Sequence, residues 1–118
     1  MTEIKNFTET DFEFKEIARL YNLVSHDSKE HPDDIKDDWT IRDKNIIRDR
    51  LFLYRDNGVI GYLGYGQGRD ENKHNCYFNI FLDPNFNGNG YRQKLYEQML
   101  QDVQTFNCNQ LYMSIYEH

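Results

Sequence analysis

The sequence predicts an α+β fold with its elements in the order β-α-α-β-β-β-α-β. Three observations carry that prediction. Apolar residues recur at helical spacing early in the chain and again near its end. Between them the period falls to two, and an Asp56-Asn57-Gly58 turn joins two β-rich segments. A glycine-containing loop then separates a nearly continuous apolar run from the last helical pattern.

Each element has its own grounds. Thr2 to Phe7 alternates weakly and reads as a short strand. Thr10 and Glu13 form a capping-box pattern, and behind them Phe14, Ile17, Ala18, Tyr21 and Val24 set a helix over 11–25. His31-Pro32-Asp33-Asp34 opens a second helix, because proline has no N–H to lose there and acids favour the positive end of the helix dipole. Ile35 and Trp39 give that helix one apolar edge, and it is expected to end near Asn45. Ile47 to Arg55 and Val59 to Gln67 are the two arms of a hairpin. In the second arm Gly61, Gly64 and Gly66 imply a bulge or a close backbone approach. Asp70 to Lys73 is a polar turn, and Asn75 to Leu82 has the apolar continuity of a central strand. Asp83-Pro84 ends it, since proline cannot continue a ladder. Leu95, Tyr96, Met99, Leu100, Val103 and Phe106 mark an amphipathic helix, and Leu111 to Tyr116 alternates as a last strand.

The size, 118 residues, is that of one domain, 1–118. Nine Tyr, eight Phe and Trp39 beside a lone alanine imply a core of large rings with Ile and Leu. A net charge of −6 and a pI near 5.1 argue against nucleic acid as a partner, which needs a basic stripe. Here the bases are interrupted by acids, as in Arg48-Asp49-Arg50. The acids between Glu30 and Asp38 read as a solvated face or as a docking patch for a cationic amine. Met1 to Asp11 is polar, unlike a signal peptide, and no apolar run reaches the ~18–20 residues of a membrane span. Cys76 and Cys108 read as free thiols of a cytoplasmic protein, and no zinc spacing links them to His26, His31, His74 or His118.

Chemistry concentrates in Leu82-Asp83-Pro84-Asn85-Phe86-Asn87-Gly88-Asn89-Gly90-Tyr91-Arg92-Gln93. A strand running through a glycine loop into a helix presents unpaired amides together, reinforced by the dipole: an anion site without lysine. A Walker loop lacks its Gly-Lys-Ser/Thr here. Asp83, Asn85, Asn87 and Gly88 match the opening of a calcium loop, but Lys94 stands where that loop needs a bidentate Glu. A plain strand-to-helix turn, with asparagines tolerating positive φ, remains the third reading.

The whole chain resembles the first two-thirds of the GNAT superfamily of acyl-CoA-dependent N-acetyltransferases. The resemblance rests on the element order, on Asp11-Phe12 through Ala18-Arg19-Leu20-Tyr21-Asn22, and on Phe78-Asn79-Ile80-Phe81-Leu82-Asp83-Pro84 followed by Gly88-Asn89-Gly90. It implies a mixed, mostly antiparallel sheet lacking the family's final helix and hairpin. It implies acetyl-CoA as co-substrate and a primary amine as acceptor, with a non-catalytic acyl-CoA-binding or interaction domain as the alternative. The family motif Arg/Gln-x-x-Gly-x-Gly/Ala falls on Asn87, Gly90 and Arg92, so two of its three positions depart from the pattern. By resemblance the amides of Gly88, Asn89, Gly90, Tyr91 and Arg92 hold the pyrophosphate, and Phe81 and Leu82 lie along the pantetheine arm. The family's base is in some members a Glu early in the central strand; this region holds His74, Asn75 and Cys76, so no catalytic residue is assigned. Tyr112 and Tyr116 lie on the last strand and are not given the role of the family's acid. An unpaired edge at Leu111 to Tyr116 implies a homodimer formed through it.

Overall fold

Alternation over residues 48–67 resolves into two antiparallel strands, β2 (Arg48–Arg55) and β3 (Gly58–Gln67). Asp56 and Asn57 turn the chain, with Asp56 taking a φ of 56°, a conformation its short polar side chain tolerates. The register shifts between Leu53 and Tyr54, opposite Gly61 and Val59. A Cβ on Gly61 would lie 2.9 Å from Leu82 Cδ1 and 3.2 Å from the Phe81 carbonyl oxygen. Both expectations raised by the strand's glycines, a bulge and a close approach, therefore meet at Gly61.

The computed structural model describes residues 2–25, 29–68, 74–105, 108 and 110–113. Around the hairpin stand β1 (Thr2–Asn6), α1 (Asp11–Val24), α2 (Pro32–Thr40), β4 (Asn75–Leu82), α3 (Tyr91–Val103) and β5 (Gln110–Met113). The sheet order is β1-β2-β3-β4-β5. The first four strands pair antiparallel, and β5 runs parallel to β4 from Asn75↔Gln110 to Phe78↔Met113. A parallel pair needs a crossover, and α3 lies within it. This is the mixed, mostly antiparallel α+β sheet expected. The polar turn 70–73, Phe106 and the end of the last strand, Tyr116 included, lie outside the described residues, as do His26 and His118.

Because strand side chains alternate, each strand feeds two cores. On one face Leu51, Leu53, Leu63 and Leu82 pack with Leu95, Met99 and Val103 of α3. On the other Phe52, Val59, Tyr62 and Phe81 pack with Phe14, Ile17, Leu20 and Tyr21 of α1 and with Trp39 of α2. Each such side chain contributes about 1.5–3 kcal/mol by leaving water.

The capping box at the start of α1 is present and extended. Glu13, 3% exposed, accepts from the Thr8 and Thr10 amides and from both hydroxyls at 2.8–3.2 Å. Burial pushes its carboxyl up, but these hydrogen bonds outweigh that and hold it below its ordinary value. Helix α2 is shorter than expected, ending at Thr40 rather than near Asn45. Beyond it Asp43 Oδ1 accepts from the Asn45 amide at 2.9 Å, a local turn that competes with helix, and Ile46 turns inward and is buried. Among the described residues no helix is long and apolar enough to cross a membrane.

Candidate active site

Strand β4 ends in a single 3-10 turn, Pro84–Phe86, which Asp83 caps by accepting from the Asn85 amide at 3.0 Å. Arg19 of α1 anchors this corner: it donates to the Val59 carbonyl at 2.6 Å and stands 3.8 Å from Asp83 Oδ2. Asp83 is thus engaged by protein groups. Gly88 and Gly90 follow with φ of 84° and 79°, and α3 starts at Tyr91. Its first internal bond to the loop is from the Lys94 amide to the Gly90 carbonyl, at 3.1 Å. Gly90 is the N-cap and has no side chain to cap with, so the Tyr91, Arg92 and Gln93 amides have no acceptor among the described residues. A Cβ on Gly88 or Gly90 would meet nothing within 4 Å, so the space in front of these donors is open. Asn87, Gly88, Asn89, Gly90 and Arg92 are all exposed and Tyr91 half-buried. Arg92 is exposed and makes no ion pair among the described residues.

Phe81 and Leu82 are buried, on opposite faces. The Phe81 ring stacks on Tyr62 at 5.0 Å between centroids, and Leu82 lies in the α3 core. What they offer a ligand is main chain. Pairing with β5 is described from Asn75↔Gln110 to Phe78↔Met113.

The α1–α2 face of the sheet carries a cleft of about 400 Å³. Cross-strand register builds its floor in ladders. Phe52, Tyr62 and Phe81 form an aromatic row, with centroids 6.1 Å and 5.0 Å apart. The next ladder is Arg50, Gly64 and Asn79, and the one beyond it Arg48, Gly66, Tyr77 and Tyr112. The two glycines put no side chain in the middle of these ladders, and their neighbours lean in: a Cβ on Gly66 would be 2.9 Å from Arg48 Cγ, and one on Gly64 3.3 Å from Asn79 Oδ1. Ile17 and Tyr21 of α1, with Ile35, Asp38 and Trp39 of α2, make the walls, and the half-buried Glu30 and exposed Asp34 stand at the rim.

Charges in the cleft are unevenly satisfied. Arg48 pairs with Asp38 at 3.4 Å. Arg50 lies 5.0 Å from the Trp39 ring and 5.2 Å from the Phe7 ring, and its Nη1 is buried with no hydrogen-bond partner among the described residues. Burial pushes its pKa down. A buried donor left unpaired costs about 1–3 kcal/mol, and more when charged. Asp49 points to the opposite face, and burial pushes its carboxyl up. Near it the Tyr65 hydroxyl is pushed up by burial and by Asp49 and Asp102.

A family model described as "Acetyltransferase (GNAT) family" matches residues 12–118. The chain belongs to the GNAT acetyltransferase family. It is therefore an acetyltransferase by family, and the family's acetyl donor is acetyl-CoA. No curated protein matches it. Among solved structures it is similar to a GNAT family acetyltransferase of Staphylococcus aureus USA300_TCH1516, with a TM-score of 0.71 and 20% identity, over 98% of this chain and 87% of that one. A ribosomal-protein-alanine N-acetyltransferase of Brucella melitensis biovar Abortus 2308 gives 0.69 and 12%, over 99% and 82%. The protein yncA of Salmonella typhimurium, solved with acetyl-CoA, gives 0.73 and 17%, over 88% and 64%.

The loop meets a simple test of fit for the family's donor. Two glycines at positive φ, open space before them and a set of amides without acceptors are what a pyrophosphate requires. Other expected residues fall elsewhere. His74 is exposed at the start of β4 and does not line the cleft. Of the acids from Glu30 to Asp38, Glu30, Asp34 and Asp38 line it, whereas Asp33 and Asp37 do not. Cys76 is buried beside Cys108, and burial followed by that contact pushes its thiol up to about 12, far from reactive thiolate. Sequence reasoning missed Arg50, Gly64 and Asn79. The signal was present: with Phe52 and Tyr54 inward, period two places Arg48 and Arg50 on the same face.

Proposed function

We propose that this chain transfers the acetyl group of acetyl-CoA to a primary amine held in the α1–α2 cleft. The observation that carries the reading is the placement of β4. Its C-terminal end opens into the amides of Gly88 to Arg92, and its Asn79 and Phe81 border the cleft. One strand thus spans the distance from an anion site to an acceptor pocket. The loop amides would hold the pyrophosphate, and the main chain of Asn79 to Leu82 would align the pantetheine arm, which brings the thioester to the cleft. The amine nitrogen bonds to the acetyl carbon and the C–S bond breaks. An ammonium and an acetyl thioester become an amide, a free thiol and one released proton. Glu30 and Asp34, at the rim, attract the cationic amine before it is deprotonated. Residues 1–118 would act as one domain that associates with a second copy through the outer edge of β5.

Calorimetric titration with acetyl-CoA, followed by thiol release over a panel of amines, tests the reading. Saturable binding with amine-dependent thiol release is the expected result. Binding without release from any amine would leave a non-catalytic acyl-CoA-binding domain. Absence of binding would remove coenzyme A from the account.

A further inference from the structure

We infer that the acceptor amine carries a carboxylate, and that Arg50 is the group that receives it. The inference rests on the acetyltransfer reading above and names the class of its acceptor. Arg50 stands on the cleft floor directly across Gly64 from Asn79, whose strand borders the cleft on the donor side. A Cβ on Gly64 would be 4.0 Å from Arg50 Cγ and 3.3 Å from Asn79 Oδ1, so the glycine lets both neighbours come close to the same point of the floor.

The guanidinium there is uncompensated. Its neighbours on this side are engaged: Arg48 has Asp38 at 3.4 Å, and Arg42 donates to the Trp39 carbonyl at 2.7 Å. Arg50 has no ion pair among the described residues, and its Nη1 is buried without an acceptor. Of the groups near enough to act on it through space, Tyr62 of the aromatic row comes first; of the carboxylates, Asp38 is taken by Arg48. Asp49 accepts from the Arg50 main-chain amide at 2.8 Å instead of from the side chain. The Phe7 and Trp39 rings do not settle the account, because an aromatic face satisfies a cation's charge but not its in-plane N–H donors. They hold the fork in place and shed its water. A pre-oriented, dehydrated guanidinium is the partner of a planar, two-oxygen anion.

The cleft also discriminates against the alternative. A polyamine would be drawn by Glu30 and Asp34 at the rim, but its second cation would then face Arg50. A zwitterion meets both signs in their places. The acids draw its ammonium in, and Arg50 holds the carboxylate while the amine faces β4.

The test uses the full chain, acetyl-CoA and matched acceptor pairs: amino acids, each against the amine lacking its carboxyl group. Thiol release should give a kcat/KM roughly 10- to 100-fold higher for the carboxylate-bearing member, as charge-assisted pairing implies. Arg50→Met should abolish that preference mainly through KM, and Arg50→Lys should keep part of it. Equal rates within pairs for the wild-type chain, or a preference intact in Arg50→Met, would overturn the assignment. If Arg50→Met does not fold, the wild-type pairs still decide. Acetyl-CoA binding with no thiol release from either member of any pair overturns the acetyltransfer reading itself, and the Arg50 assignment with it.

Discussion

Replacing Gly90 separates backbone strain from charge at the loop. Its φ of 79° favours glycine, and an added Cβ meets nothing within 4 Å. Alanine there costs only the left-handed conformation, about 1–2 kcal/mol, and Asn and Asp somewhat less. For a domain near this size that is a melting-temperature drop of about 4–8 °C. Aspartate adds a carboxylate at the N-terminus of α3, next to the uncapped amides of Tyr91, Arg92 and Gln93. It would compete for those donors and repel a pyrophosphate. Loss of one charge-assisted hydrogen bond, about 1.5–3 kcal/mol, weakens binding roughly 10- to 150-fold. Calorimetric titration of coenzyme A into Gly90→Ala, Gly90→Asn and Gly90→Asp, each checked by thermal unfolding, measures both terms. The prediction is three folded variants in which Asp binds at least about 10-fold more weakly than its near-isostere Asn, a gap that narrows with added salt. Equal affinity of the Asp and Asn variants would refute the placement of the pyrophosphate on these amides.

Three further outcomes are expected. Glu13→Gln should destabilise the fold by about 1–3 kcal/mol in urea titration, since the amide's NH2 would face donors on Thr8 and Thr10. Because the folded pKa of Glu13 is held below its ordinary 4.5, its contribution is full above that value and fades as pH falls through the folded pKa. A stability curve whose acid limb is the same with Gln at position 13 would contradict this. Gly64→Val should fill the cleft floor and raise the acceptor KM at least about 10-fold, while leaving acetyl-CoA affinity within about twofold. Parallel losses of both would mean that the two sites are not separate. Sedimentation of the wild-type chain should show self-association, with Tyr112 and Met113 exposed at 43% and 51% on β5; a strict monomer at high concentration would rule it out.

Much of the fold was legible because local rules and global packing agree here. The capping box at Thr10 and Glu13, the Asp56-Asn57 turn and Pro84 after Leu82 each punctuate the chain where the structure does. Helix α2 was over-extended because apolar spacing does not register the local turn at Asp43, which stops it. The loop was legible as a strand–glycine–helix pattern. The cleft was not, because its floor arises from register. Arg50, Gly64 and Asn79 are far apart in sequence, and only cross-strand pairing sets them in one row. Arg48-Asp49-Arg50 looked like charge mixing, although the two arginines share a face and Asp49 takes the other.

The glycine loop offers ligands main-chain donors, and this bears on how much of its sequence must persist. An amide N–H is the same group whatever residue carries it, so the surface it forms stores its information in φ and ψ rather than in side-chain identity. Departures such as Asn87 and Arg92 then cost little as long as Gly88 and Gly90 keep their positive φ and the side chains stay outside. Mutational scanning of the loop would accordingly concentrate its intolerance at two glycines and leave Asn87, Asn89 and Arg92 nearly silent.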